Sequence, residues 1–185
     1  TDFIQSIIMT IALVIVVSYG IMMAGGMDSV MGHAYALPGY MSFTQSYDVA
    51  TKSAIPYSVL TIASKAAWGL GYFGMPHILL RFMAIKDKNQ LKLSRRVATI
   101  WVVISMFVSV FIGIVAMAMS KEGVLATLVG SDSETAIVRI AHLLSRHGFG
   151  FALIAGVILS GILASTMSTS DSQLLAASSS VSNDI

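Results

Sequence analysis

The stretch Trp68-Gly-Leu-Gly-Tyr72-Phe-Gly-Met-Pro76 lies inside an apolar run from about Ala54 to Ile85. Glycine adds backbone entropy to the unfolded chain, and proline lacks an N–H and clashes with the preceding turn, so three glycines and a proline in nine residues predict a broken helix. The run is long enough to span a bilayer, and unwound backbone at that depth survives only where it is buried in protein or lines a watery cavity. Trp68, Tyr72 and Met75 follow i, i+4 and i+7 with Pro76 beside them. One face would offer an indole, a phenol and a ring of fixed geometry, which suits a solute site at a helix break. The plainer alternative is a kinked lipid-facing helix, although Trp and Tyr normally mark the membrane boundary and these two lie well inside the run. Lys65, about 11 residues in from Ala54, must face water. It either attracts an anionic group of an entering solute or snorkels up a hydrated vestibule.

Composition extends this reading to the whole chain. Of 185 residues, 56% are hydrophobic and 11% charged, with a mean hydropathy of +0.82. Soluble domains sit near 45–50% and about 25%. The class is an all-α integral membrane protein, a helical bundle wetted by the lipid bilayer. A net charge of +2 leaves no nucleic-acid footprint. Zero cysteines exclude disulfides, thiolate metal sites and cysteine nucleophiles. His33 and His77 stand alone, and His142 with His147 at i+5 share a helical face poorly, so no metal site is expected. No hydrolase or phosphate-loop motif appears, and Asp171 has no paired histidine to activate a serine, so the chain does not read as an enzyme. It opens on Thr1-Asp2 without a basic stretch ahead of its first apolar run, which suggests a piece of a longer protein.

Four spans are expected, at about 3–24, 54–85, 97–120 and 148–180, in a single partial transmembrane domain covering 1–185. Gly25-Gly26 ends the first, and Met27 to Ser53 reads as a wet loop with interfacial aromatics. Residues 134–146 place Ile137, Ile140, Ala141 and Leu144 on one helical face. That segment is too short and too charged to cross, so it is expected to lie on the membrane surface, with Ser131 and Glu134 as a capping box. Arg81, Lys86, Lys88, Lys92, Arg95 and Arg96 put 6 of the 11 basic residues in one connection, which marks it as cytoplasmic. Parity then puts both chain ends in the cytoplasm.

In the fourth span Ala152, Gly156, Ser160, Ala164, Ser168, Ser172, Ala176 and Ser180 recur every four residues, a small ridge suited to close helix packing. Ser165, Ser168 and Thr169 share a face at i, i+3 and i+4. Their hydroxyls are the hard oxygen ligands that sodium needs, and equally groups that can bond back to the i−4 carbonyl.

The stretch from Trp68 to Ile85 and the stretch Ile162-Leu-Ala-Ser-Thr-Met-Ser-Thr-Ser-Asp-Ser-Gln-Leu-Leu175 together resemble sodium:solute symporters, the first most like the proline branch. Thr1-Asp-Phe-Ile-Gln5 is similar to that family's short motif at the start of a core helix. The resemblance implies a ten-helix core of two inverted five-helix repeats, with these spans as core helices five to eight. It implies Trp68, Tyr72 and Pro76 in the substrate site, Ser165, Ser168 and Thr169 on one wall of the sodium site, and Asp2 along the sodium path. It implies symport of a small solute, expected to be L-proline, into the cell with sodium as coupling ion and no other cofactor. The expected location is a bacterial inner membrane, beside the remaining helices of the transporter. Met75 departs from the family's common glutamine, and Lys65 from a small or apolar residue, which bears on the exact solute. A symporter-like sensor domain of a histidine kinase is the alternative.

Overall fold

The computed structural model describes residues 2–72, 74–85 and 87–184. In chain order the elements are α1 (Asp2–Met23), α2 (Met27–Ala36), β1 (Gln45–Asp48), β2 (Ser53–Pro56), α3 (Val59–Tyr72), α4 (Pro76–Met83), α5 (Lys88–Lys121), a 3-10 turn (Gly130–Thr135), α6 (Ala136–Ser145) and α7 (Phe149–Asp184). Among the described residues three helices are long and apolar enough to cross a membrane: Ile4–Met23, Asn89–Lys121 and Phe149–Ser182. The remaining apolar run is divided between α3 and α4, as its glycines and proline predict. The chain forms two compact units, Thr1–Pro56 with Val103–Leu163, and Tyr57–Val102 with Ala164–Ile185.

The first unit holds an apolar core. Val16 of α1, Val30 of α2, Val115 and Met119 of α5, Ile140 and Leu144 of α6 and Ile158 of α7 are almost fully shielded. Small residues bring the helices together: a Cβ on Gly20 would overlap the Val115 side chain, and one on Gly161 would lie 2.5 Å from Met9 Sδ. The seam of α7 in this unit therefore runs through Ala155, Ile158 and Gly161, while Gly156 of the four-residue ridge meets nothing. Helices α1 and α5 end by one device. Gly25 sits at φ 85° and Gly123 at φ 74°. That left-handed turn lets Gly26 N–H donate to Ile21 O (2.9 Å) and Val124 N–H to Met119 O (3.0 Å), satisfying carbonyls the helix leaves open.

Two connections differ from the sequence reading. Residues 27–53 hold a helix and half a hairpin where a wet loop is expected. Val30 and Ala34, four apart, give α2 a short apolar stripe that the core buries. The hairpin pairs Gln45 with Pro56 and Asp48 with Ser53. Asp48 fixes its turn by accepting from Ala50 N (3.1 Å) and Thr51 Oγ1 (2.7 Å), and these bonds, the Thr51 hydroxyl foremost, hold its carboxyl below the ordinary range. Before α6, the expected capping box gives way to a 3-10 turn without a side-chain cap, in which Thr135 Oγ1 donates to Asp132 O (2.7 Å). The apolar face of α6 packs against α1, so protein rather than lipid covers it.

Helix α5 starts nine residues ahead of the apolar run at 97, because Lys, Gln, Leu and Arg are good helix formers and Asp87 Oδ1 accepts from Asn89 N–H at 2.9 Å. Helix α3 starts at Val59, capped by Ser58 Oγ, which accepts from Thr61 N–H at 3.1 Å; residues 53–56 belong to the hairpin.

Candidate functional site

Three sequence-derived substrate residues flank the break in the second unit. Helix α3 ends at Tyr72, where Gly74 N–H donates to Gly71 O (3.1 Å) and Met75 N–H reaches Tyr72 O (3.4 Å). Pro76 then opens α4, a position where its missing N–H costs nothing. Trp68 and Tyr72, one turn apart on α3, are 81% and 55% exposed. Their large apolar surfaces are uncovered by the described residues. The break removes Met75 from their face: helical spacing stops at Tyr72, so i+7 no longer measures a shared side.

Met75 and Pro76 instead line a cavity of about 290 Å³ with Gln173, Ala176, Ala177 and Ser180 of α7. The structure thus brings Pro76 beside the C-terminal half of α7 and leaves Trp68 and Tyr72 outside that lining. Neither Gln173 nor Ser180 is a candidate site residue on the sequence alone. A signal existed: Gln173 is four residues beyond Thr169 on the Ser165–Thr169 row, and Ser180 belongs to the small ridge.

Ser165, Ser168 and Thr169 lie in unbroken α7 and share a face. Thr169 Oγ1 donates to Ser165 O at 3.1 Å, and Ser172 Oγ to Ser168 O at 3.0 Å. The back-bonding alternative is therefore realised at Thr169, yet a hydroxyl that donates its hydrogen keeps oxygen lone pairs for a cation. Because α7 is continuous here, its main-chain carbonyls stay in the helix ladder and its offering to a cation is hydroxyl oxygen. The half-buried positions in this part of α7 include Ser168, Ser172 and Ala176 of the small ridge.

Lys65 is six residues, about 9 Å, from the start of α3 rather than 11 from Ala54, because the hairpin takes residues 53–56. Its Nζ lies 5.1 Å from the centroid of the Tyr57 ring, so the amine reaches back toward the helix start. Asp2 opens α1, and its side chain lies outside the described residues, as do Lys86 and the side chains of Arg81 and Lys88 in the basic connection.

The chain matches the sodium:solute symporter family over residues 1–185. It is 36% identical to the sodium/proline symporter 2 of Staphylococcus saprophyticus over 184 residues, all of this chain and 32% of that protein. It is 37% identical to the osmoregulated proline transporter OpuE of Bacillus subtilis and 34% identical to the high-affinity proline transporter PutP of the same organism. Those two matches again cover all of this chain and 34% and 36% of the relatives. The chain therefore spans about a third of the length of these relatives. No solved structure matches it. With a broken apolar run, three helices fit to cross a bilayer and a family match from end to end, this multi-pass membrane chain belongs to the sodium:solute symporter family.

Proposed function

We propose that the chain is part of a transporter that carries L-proline, or a similar small amino acid, into the cell together with sodium. The observation that carries the reading is the end-to-end similarity to proteins named as sodium/proline symporters and proline transporters, with the helix break falling between Tyr72 and Pro76 as a midplane site requires. In this reading Trp68, Tyr72 and Pro76 border the substrate. Ser165, Ser168 and Thr169 supply hydroxyl ligands to one side of the ion, other helices supply the rest, and Asp2 lies on the sodium path.

The orientation proposed puts residues 24–58 and 122–148 outside and the basic connection before α5 inside. The outer connections pack on one another in the first unit, as connections on one side of a membrane can: His33 Nε2 lies 2.8 Å from Glu122 Oε1, and Ser29 Oγ donates to the same oxygen at 3.1 Å. The test is uptake of labelled proline by membrane vesicles holding a transporter of the relatives' length that carries this segment. Accumulation should require a sodium gradient and be competed by unlabelled proline before sugars. Uptake indifferent to sodium, or competed first by a sugar, overturns the proposal.

A further inference from the structure

In the first unit a cavity of about 440 Å³ lies between the connection after α2, the turn of the hairpin, the last turns of α5 and the segment entering α6. That volume is within the range of small-molecule sites, about 300–1,000 Å³. Met117 and Leu128 give it apolar walls, and Tyr40, Tyr47, Lys52 and Lys121 also line it. No aspartate or glutamate lines it.

The charge is not balanced from nearby. Asp48 spends its carboxylate on Ala50 and Thr51 in the hairpin turn, and Glu122, next to Lys121, is held by His33 and Ser29 of α2. Among the described residues the one contact of a basic side chain with a carboxylate at salt-bridge distance is His33–Glu122, so neither lysine has a carboxylate partner. Lys52 also stands at φ 52°, a left-handed conformation that glycine or asparagine would adopt without strain.

We propose that this cavity binds a small organic carboxylate with an apolar body, with Lys52 and Lys121 as partners of the carboxylate and Met117 and Leu128 packing the body. An amino acid is a poorer fit, because its ammonium group would enter a lining that has two cations and no anion. The site is built from residues other than those proposed for substrate and sodium, and it does not rest on that function.

The probe is benzoate. Its binding is measured by equilibrium dialysis in sodium-free buffer to the detergent-solubilised, full-length protein carrying this segment, so that a failure of the transport reading leaves the readout intact. Wild type should bind benzoate, and Lys52→Gln with Lys121→Gln together should weaken it about tenfold or more. Lys52→Arg should retain it, which separates loss of charge from a folding defect, and Lys65→Gln should be neutral. Benzylamine, with the same ring and the opposite charge, should not compete, and proline should compete at least about tenfold less well than benzoate. Absence of benzoate binding to wild type, unchanged binding in the double variant, or competition by proline equal to that of benzoate overturns the proposal.

Discussion

The two units of the chain solve the same compositional problem in opposite ways. Among the described residues, every buried hydrophobic side chain belongs to the first unit, and none to the second. The first unit closes α1, α2, α6 and parts of α5 and α7 over a core in which, among the described residues, the Tyr19 phenol is the one polar side chain buried. The second leaves Val59, Leu60, Trp68, Leu70 and Met83 largely uncovered, although its helices are hardly less apolar. Burial follows from having neighbours, and the residues proposed for substrate and sodium fall where neighbours from this chain are few. An open unit is what the proposed solute and ion sites need, since such a site cannot be filled by its own side chains.

This contrast can be broken or sharpened by substitution, all in a transporter of the relatives' length. The largest change is expected in the open unit from Trp68→Ala. Removing an indole that covers a proline-sized solute forfeits about 1.5–3 kcal/mol of burial, or roughly 10- to 100-fold in proline affinity, with Tyr72→Phe costing less. Equal affinity in wild type and Trp68→Ala, at matched membrane levels and saturating sodium, would return Trp68 to a lipid-facing role.

In the packed unit, Gly20→Ala drives a methyl into Val115, which is fully buried and cannot swing away. Overpacking of this kind costs about 1–3 kcal/mol, read as a lower unfolding temperature in detergent. Unchanged stability would mean that the α1–α5 seam is looser than described.

Ser168→Ala or Thr169→Ala keeps the small surface of α7 and deletes one oxygen. The sodium concentration for half-maximal uptake should rise several-fold, about 1 kcal/mol for one lost ligand, with abundance unchanged. Normal sodium dependence assigns both residues to packing alone.

Gly71→Ala is the counterpart of Gly20→Ala. Among the described residues beyond its own turn no atom lies within 4 Å of the added methyl, so relief of backbone entropy should stabilise α3 by about 0.5–1 kcal/mol. Destabilisation instead would show that a helix outside this chain sits against Gly71. That result would mean the second unit is open here and closed in the whole protein.

The smallest effect concerns pH. Hydrogen bonds from His33 first, and then Ser29, hold the Glu122 carboxyl below its ordinary 4.5. A depressed carboxylate contributes stability that is fully present above the unfolded value and lost as pH falls through the folded one. Glu122→Gln should therefore remove a small stabilisation at neutral pH and flatten the acid limb below about pH 4.5, so that variant and wild type converge in acid. An unaltered acid limb would show that the α2–α5 contact carries no proton linkage.

What could be read from the chain alone followed the range of the forces involved. The end of α1 at Gly25-Gly26, the long apolar helices and the break before Pro76 rest on local backbone chemistry and hydropathy, which a sequence displays directly. The hairpin was hidden because Gln-Ser-Tyr-Asp and Ser-Ala-Ile-Pro are short and mostly polar, and their turn has no Asn-Gly or Asp-Gly signature. Helix α2 was hidden because two buried residues make too faint a stripe. Lys65 lies nearer the start of its helix than the apolar run suggests, because the hairpin claims the first residues of that run. Spacing put Ser165, Ser168 and Thr169 on one face, but whether a cation sits there depends on oxygens from other helices. No periodicity within α7 can report them.

The contact of Gly20 with Val115 also constrains how the protein can drift. The two positions share one small volume across the α1–α5 seam, so a methyl gained at 20 is tolerated only if carbon is given up at 115. Single changes toward bulk at either position are disfavoured, while Gly20→Ala with Val115→Ala adds one carbon on α1, removes two on α5 and so relieves the overlap at the loss of one methyl. Variation at these sites should therefore be paired, and a lineage can cross from one solution to the other only through a less stable intermediate.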